Sequence, residues 1–249
     1  MDDGVLRRRL WEGFASLQVL LGGHAGPGRV IERGGLVASV VPSAPDSPTL
    51  NAAVAIEPEA APRHLQELRQ RYDEAAVRRW GVWLDGGARE VADALSRAGL
   101  LVTSASPGMG AELEPAAEPS DEERIPADLA TVGRVNDMAY GNFDGRLERT
   151  LTPLPNGVLR GYRADHDGKP ASVALALHHN DDCGVSFVAT IPEARRRGLA
   201  RAVMRQALDD ARANGCTSTT LQATDVGERL YANLGYRRLC AMQLWELRR

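Results

Sequence analysis

A single lysine, Lys169, stands among the 249 residues, cysteine occurs three times, and no apolar run approaches the length of a membrane span. Each scarcity excludes something. Without a lysine behind a glycine-rich turn there is no Walker-type phosphate loop, and no GxGxxG opens a helix as a dinucleotide fold requires. Cys183, Cys216 and Cys240 are odd in number and lack CxxC spacing, so they read as reduced thiols in or beside strands. His166 falls in a turn and His178 and His179 end a strand without an HxxxH partner, so no metal is expected. The opening MDDGVLRRRLWEGF mixes acidic and basic residues and has no apolar signal core; a cytoplasmic protein with no membrane partner is expected. A formal charge of −3 and the lack of basic aromatic stripes argue against nucleic acid.

What is present is an ordinary balance, 43% apolar and 25% charged, which suffices to build buried cores. The length exceeds the usual single domain, and residues 112–124, ELEPAAEPSDEER, carry no apolar periodicity and read as a linker. The expected division is 1–113, a linker at 114–122, and 123–249. In the first part the patterning predicts a helix over 6–21, strands at 29–32, 36–41 and 52–56, a helix over 62–79, a strand at 82–84, a helix over 88–98 and a terminal strand. In the second it predicts a helix over 126–140, a loop over 141–155 and a hairpin turning at Asp167-Gly168. A strand at 183–191, a helix over 199–214, a strand at 218–224, a helix over 226–234 and a strand at 237–247 complete the order.

The chain is organised around residues 188–201, VATIPEARRRGLAR, read as a strand, a turn and a helix start. A helix N-terminus presents unpaired backbone N–H groups; Gly198 permits close approach, and three consecutive arginines add positive charge. That combination is an anion site, most naturally for phosphate.

Spacing makes the reading specific. Arg195, Gly198 and Ala200 satisfy (Q/R)xxGx(G/A) directly after a strand ending at Pro192, and LYANLGY follows at 230–236, after one helix and one strand. In these two ordered signatures the chain resembles the GNAT superfamily of acyl-CoA N-acyltransferases, specifically over 183–236 and only topologically elsewhere. The resemblance implies an α/β fold of the α+β type: two GNAT-like domains, each a mixed, largely antiparallel twisted sheet flanked by helices. It implies acetyl-CoA as co-substrate, its pantetheine arm beside Val188, Ala189 and Thr190, where a bulge splays the sheet. The pyrophosphate would be wrapped by Arg195, Arg196, Arg197, Gly198, Leu199, Ala200 and Arg201, with Thr224 nearby. Tyr231 matches the tyrosine that protonates the departing thiolate, and Tyr140 and Phe143 fall in the region that covers the acceptor. The implied reaction is direct acetyl transfer to a primary amine of a small molecule or peptide, by a monomer or homodimer.

Two departures accompany the match. Where some relatives carry a glutamate base this chain has Gln222, and Thr224 stands where asparagine is frequent, so no general base is named. A coenzyme-A-binding regulatory module whose chemistry has lapsed is the alternative. The first part also repeats the second: residues 55–65 lie over 189–199, and 94–100 over 230–236. There Ala61, His64 and Gln66 replace Arg195, Gly198 and Ala200, and Leu95 replaces Tyr231. The first copy is expected to keep the fold and lack the coenzyme site.

Overall fold

A computed structural model describes residues 1–24, 29–114, 125–155 and 157–247. Most of the expected linker, residues 115–124, lies outside the described residues. The first part runs α1 (Asp3–His24), β1 (Arg29–Arg33), β2 (Leu36–Val40), β3 (Ala52–Ala55), α2 (Ala60–Glu74), β4 (Gly81–Asp85), α3 (Arg89–Arg97) and β5 (Leu100–Glu112). The second runs β6 (Pro126–Ala127), α4 (Leu129–Tyr140), α5 (Arg146–Leu151), β7 (Leu159–His166), β8 (Lys169–His179) and β9 (Asp182–Thr190). A 3-10 turn (Pro192–Ala194), α6 (Leu199–Ala213), β10 (Ser218–Gln222), α7 (Asp225–Ala232) and β11 (Arg237–Leu247) follow.

Local chemistry moved two of the expected boundaries. The helix predicted from residue 126 begins at Leu129, because Asp128 caps it by accepting from Thr131 N at 2.6 Å, while Pro126 and Ala127 pair with β7 instead. The loop predicted over 141–155 contains α5, whose first amides, Leu147 N and Glu148 N, both donate to the buried Asp137 carboxylate at 3.0 Å. The hairpin turns as expected, with Asp167 and Gly168 at φ 51 and 71.

The larger correction concerns the sheet. Two separate sheets were expected; the strands form one sheet of 11, ordered β1-β2-β3-β4-β11-β5-β10-β9-β8-β7-β6. It is mixed and largely antiparallel, the parallel pairs being β3 with β4 and β9 with β10. The two parts exchange their last strands. β5 leaves the first part to pair with β10, Ser218 opposite Glu112, and β11 leaves the second to pair with β4, Met242 opposite Asp85. The exchanged strands pair with each other from Gly110 opposite Arg237 to Leu100 opposite Leu247.

The core follows from strand alternation. One face of the sheet is covered by α2 and α3 over the first strands and by α6 and α7 over the second set. The other carries α4 and α5, with α1 running across both parts: Leu10, Trp11 and Ala15 pack on β3, β4 and β11, while Leu17 and Leu21 pack with α4, α5 and β8. Gly108 lets α1 approach, since a Cβ there would stand 2.6 Å from Leu10 Cδ2. Arg9 donates to Ser218 Oγ at 2.7 Å and to Thr217 Oγ1 at 2.9 Å, tying the helix to the second part.

Candidate functional site

The site begins with a break in β9. Opposite β8 the register passes from Val173–Ala189 to Leu175–Ser186, so Phe187 and Val188 both face Ala174. Phe187 takes φ 53, a left-handed conformation that an aromatic residue adopts only when its surroundings impose it. Asn136 on α4 holds it there, its Nδ2 donating to the Phe187 carbonyl at 3.4 Å. The bulge coincides with a parting of strands: the parallel pairing of β9 with β10 ends at Val185 opposite Leu221. Beyond it the edge of residues 186–190 is turned away from β10 and available to an added strand.

The chain then passes through Pro192, turns at Arg196 (φ 64) and Gly198 (φ 82), and enters α6. Gly198 is the residue before the helix, so the first amides of α6 have no intrahelical carbonyl to pair with, and a Cβ at Gly198 would meet nothing within 4 Å. These amides form one end of a cleft of ≈ 650 Å³. Its walls include every residue named above for the coenzyme except Arg197: Val188, Ala189 and Thr190, then Arg195, Arg196, Gly198, Leu199, Ala200 and Arg201, then Thr224. Arg197 is exposed beside it.

Two expected contacts are engaged otherwise. The Arg195 guanidinium donates to Thr190 O at 3.2 Å and to Ala139 O at 3.0 Å, bracing the loop against the end of α4, so it is not a free cation at the cradle. The Thr224 hydroxyl caps α7 by accepting from Gly227 N at 3.2 Å. Ser172 fixes the end of β9 by donating to Ala189 O at 3.1 Å.

Tyr231 lies on α7 at the junction of this cleft with a second one of ≈ 410 Å³. It is buried, its ring 5.9 Å from that of Tyr236, and burial pushes its phenol up, with Tyr140 adding to the effect. Tyr140 lines both clefts, whereas Phe143 is 92% exposed and lines neither. Among the described residues the walls of both clefts contain no carboxylate and no histidine; Gln222 stands in the second, as the sequence has it. Among the described residues no cluster of His, Cys, Asp or Glu is placed to hold a metal ion, and no helix is long and apolar enough to cross a membrane.

The second cleft also contains what sequence reasoning missed. Phe14, Leu17, Gln18 and Leu21 from α1, Trp83 from β4 and Ser106 from β5 belong to the first part of the chain and form one side of it. No motif marks them. They arrive through the path of α1 and the exchanged strand.

Among the described residues of the first part, the corresponding turn differs. α2 begins at Ala60, right after the Pro58-Glu59 turn, so the positions of Ala61, His64 and Gln66 all lie inside a helix.

Residues 136–236 match the family model described as the acetyltransferase (GNAT) family. Over that segment the chain is similar to the GNAT acetyltransferases. A GCN5-related N-acetyltransferase from Kribbella flavida is similar to it at 21% identity with a TM-score of 0.64, covering 96% of this chain and 94% of that one. A structure described as a putative acetyltransferase of the GNAT family from Novosphingobium aromaticivorans is 20% identical, TM-score 0.57, covering 87% of this chain and 89% of the other. Another, a GCN5-related N-acetyltransferase from Sphaerobacter thermophilus, is 14% identical with a TM-score of 0.54 over 85% and 80% of the two chains. At such identities the likeness is one of fold. No curated protein matches the chain.

Proposed function

We propose that this protein is an N-acetyltransferase that moves an acetyl group from acetyl-CoA to a primary amine by direct attack in a ternary complex. The observation that carries the reading is convergence: the β9 bulge, the open N-terminus of α6 and the Tyr231 hydroxyl-bearing ring meet along one cleft. The cradle fits a pyrophosphate. It offers unpaired amides, a left-handed glycine that leaves them uncovered, and the always-charged Arg196 and Arg201 at the wall. Acetyl-CoA supplies the activated acyl thioester. The edge of residues 188–190 is suited to pair with an extended amide-bearing arm, and backbone N–H groups at the bulge to meet the carbonyl oxygen as charge develops there. Tyr231, kept protonated by burial, is suited to give its proton to the departing sulfur. On this reading the first part, residues 1–113, is a copy of the fold without a cradle, 123–249 carries the chemistry, and 114–122 joins them.

The lack of any carboxylate or histidine at either cleft favours one alternative, a coenzyme-A-binding module without turnover. Thermal unfolding with acetyl-CoA, in wild type and Gly198→Glu, tests the binding part. Ligand at about 100 times its dissociation constant adds roughly 2.7 kcal/mol, a rise of a few degrees, which the carboxylate at the cradle abolishes. Release of free thiol on adding an amine then separates enzyme from module. No wild-type shift removes the proposal altogether.

A further inference from the structure

The second cleft specifies its acceptor. It adjoins the first through four shared walls, Tyr140, Val188, Thr224 and Tyr231, so whatever fills it lies against the reacting end of the coenzyme cleft on the reading proposed above, on which this inference rests. Its lining divides into apolar and aromatic surface and neutral amides or hydroxyls, with no acidic or basic side chain. Phe14 and Trp83 meet edge to face, ring centroids 5.5 Å apart at 85°, and give one side a rigid aromatic corner.

The polar groups in that wall are neutral. Gln18 is 1% exposed, and its carbonyl oxygen accepts from Ser39 Oγ, which fixes the amide in the wall. Trp83 is 3% exposed, and its Nε1–H is buried without a partner among the described residues. Asn136, which also lines the cleft, donates its Nδ2 to Phe187 O. A few neutral hydrogen-bonding groups set in apolar and aromatic surface make a wall suited to an uncharged ligand.

We infer that the acceptor is an uncharged, weakly basic amine on a one- or two-ring apolar body bearing a neutral hydrogen-bonding group, that is, an arylamine-type small molecule. Size agrees: a cavity of ~150 Å³ takes one benzene ring, and this one is ≈ 410 Å³. Charge agrees as well. An alkylammonium moved among these groups would lose its hydration and find no counter-ion, whereas an amine already neutral at pH 7 enters in its reactive form. That also explains Gln222 and the missing base. In the step itself the neutral nitrogen bonds to the acyl carbon, the carbon–sulfur bond breaks, and the nitrogen sheds one proton to solvent water as the amide forms. Tyr231 protonates the sulfur and regains its proton from solvent; no oxidant or reductant is needed. The first part of the chain thus supplies specificity through Phe14, Gln18 and Trp83.

The experiment measures thiol release from acetyl-CoA by the full chain with para-aminobenzamide, benzylamine, spermidine and a short peptide with a free N-terminus. We expect kcat/KM for para-aminobenzamide to exceed the other three by about tenfold or more at pH 7. Phe14→Ala and Trp83→Leu should each raise its KM several-fold while retaining the thermal shift with acetyl-CoA, which also certifies that the variants fold. Gln18→Glu should move preference toward benzylamine. Preference of the wild type for spermidine or the peptide, or a coenzyme shift without turnover of para-aminobenzamide, overturns this inference alone. Absence of the coenzyme shift in the wild type instead removes the reading beneath it.

Discussion

Val185 and Ala189 stand four residues apart on one strand and face opposite sides of the sheet, Val185 among the α6 and α7 side chains and Ala189 among those of α4 and α5. In a regular strand they would share a face. The extra residue at the bulge supplies the half-step, and the same half-step parts β9 from β10 and opens both clefts. Geometry needed for chemistry is therefore written into the core packing on either side.

Phe187 tests that statement through stability. In an ordinary strand valine outranks glycine by about 1 kcal/mol. At φ 53 a β-branched side chain is strained by roughly 1–3 kcal/mol, while glycine is not. Phe187→Gly should therefore be at least as stable as Phe187→Val in urea unfolding, even though it buries less. A clear advantage for Phe187→Val would mean that the bulge does not hold its left-handed turn.

Exchange of β5 and β11 makes a second prediction. The last strand of each part pairs only with strands of the other part, and Arg79 of the first part pairs with the buried Glu246 of the second at 2.9 Å. Calorimetry should give one unfolding transition with calorimetric and van't Hoff enthalpies in agreement. Fragments 1–114 and 125–249 should fold when expressed together and not when expressed apart. Two resolved transitions would show independent domains.

The contrast with the sequence is instructive. Element order and the turn into α6 were legible because Pro192, Gly198, Leu230-Tyr231 and Gly235 are local signals: each constrains its own backbone within a few residues. The division into 1–113 and 123–249 followed the same local logic, and the order of elements does repeat. What no local signal carries is which strand edge β5 and β11 choose, since each alternates like any half-buried strand. The side of the second cleft formed by the first part was lost with that choice. Phe14 and Trp83 fall within the expected helix over 6–21 and strand at 82–84, with no signal that would bring them to the same cleft as Val188. Arg195 failed differently: its spacing was right, but two backbone carbonyls lay closer to its guanidinium than the mouth of the cleft.

Asp182 sets a pH dependence that runs against the usual carboxylate direction. It is 1% exposed, and burial pushes its carboxyl up despite the Ser218 and Thr220 hydroxyls that donate to it. Because the folded protein holds this proton to higher pH than the unfolded chain, the contribution is neutral below about pH 4 and turns unfavourable as pH rises through the interval up to the raised folded value. Asp182→Asn removes the slope. Its stability relative to wild type, from urea midpoints at a series of pH values from 4 upward, should improve and then level off once the raised folded value is passed; a constant difference would refute the assignment.

Tyr231→Phe isolates the proton from the ring. The ring packing against Tyr236 and Gly227 persists, so stability should change by less than about 1 kcal/mol and the thermal shift with acetyl-CoA should remain. A thiolate that must leave without a proton slows the chemical step by about 10²-fold, seen in kcat with little change in the KM for acetyl-CoA. Since burial raises the phenol above its ordinary value near 10, the wild-type rate should show no alkaline decline below about pH 10. A decline centred near pH 8 that survives in Tyr231→Phe would assign the acid to another group; one that disappears with the hydroxyl would mean that the cleft lowers the phenol instead of raising it.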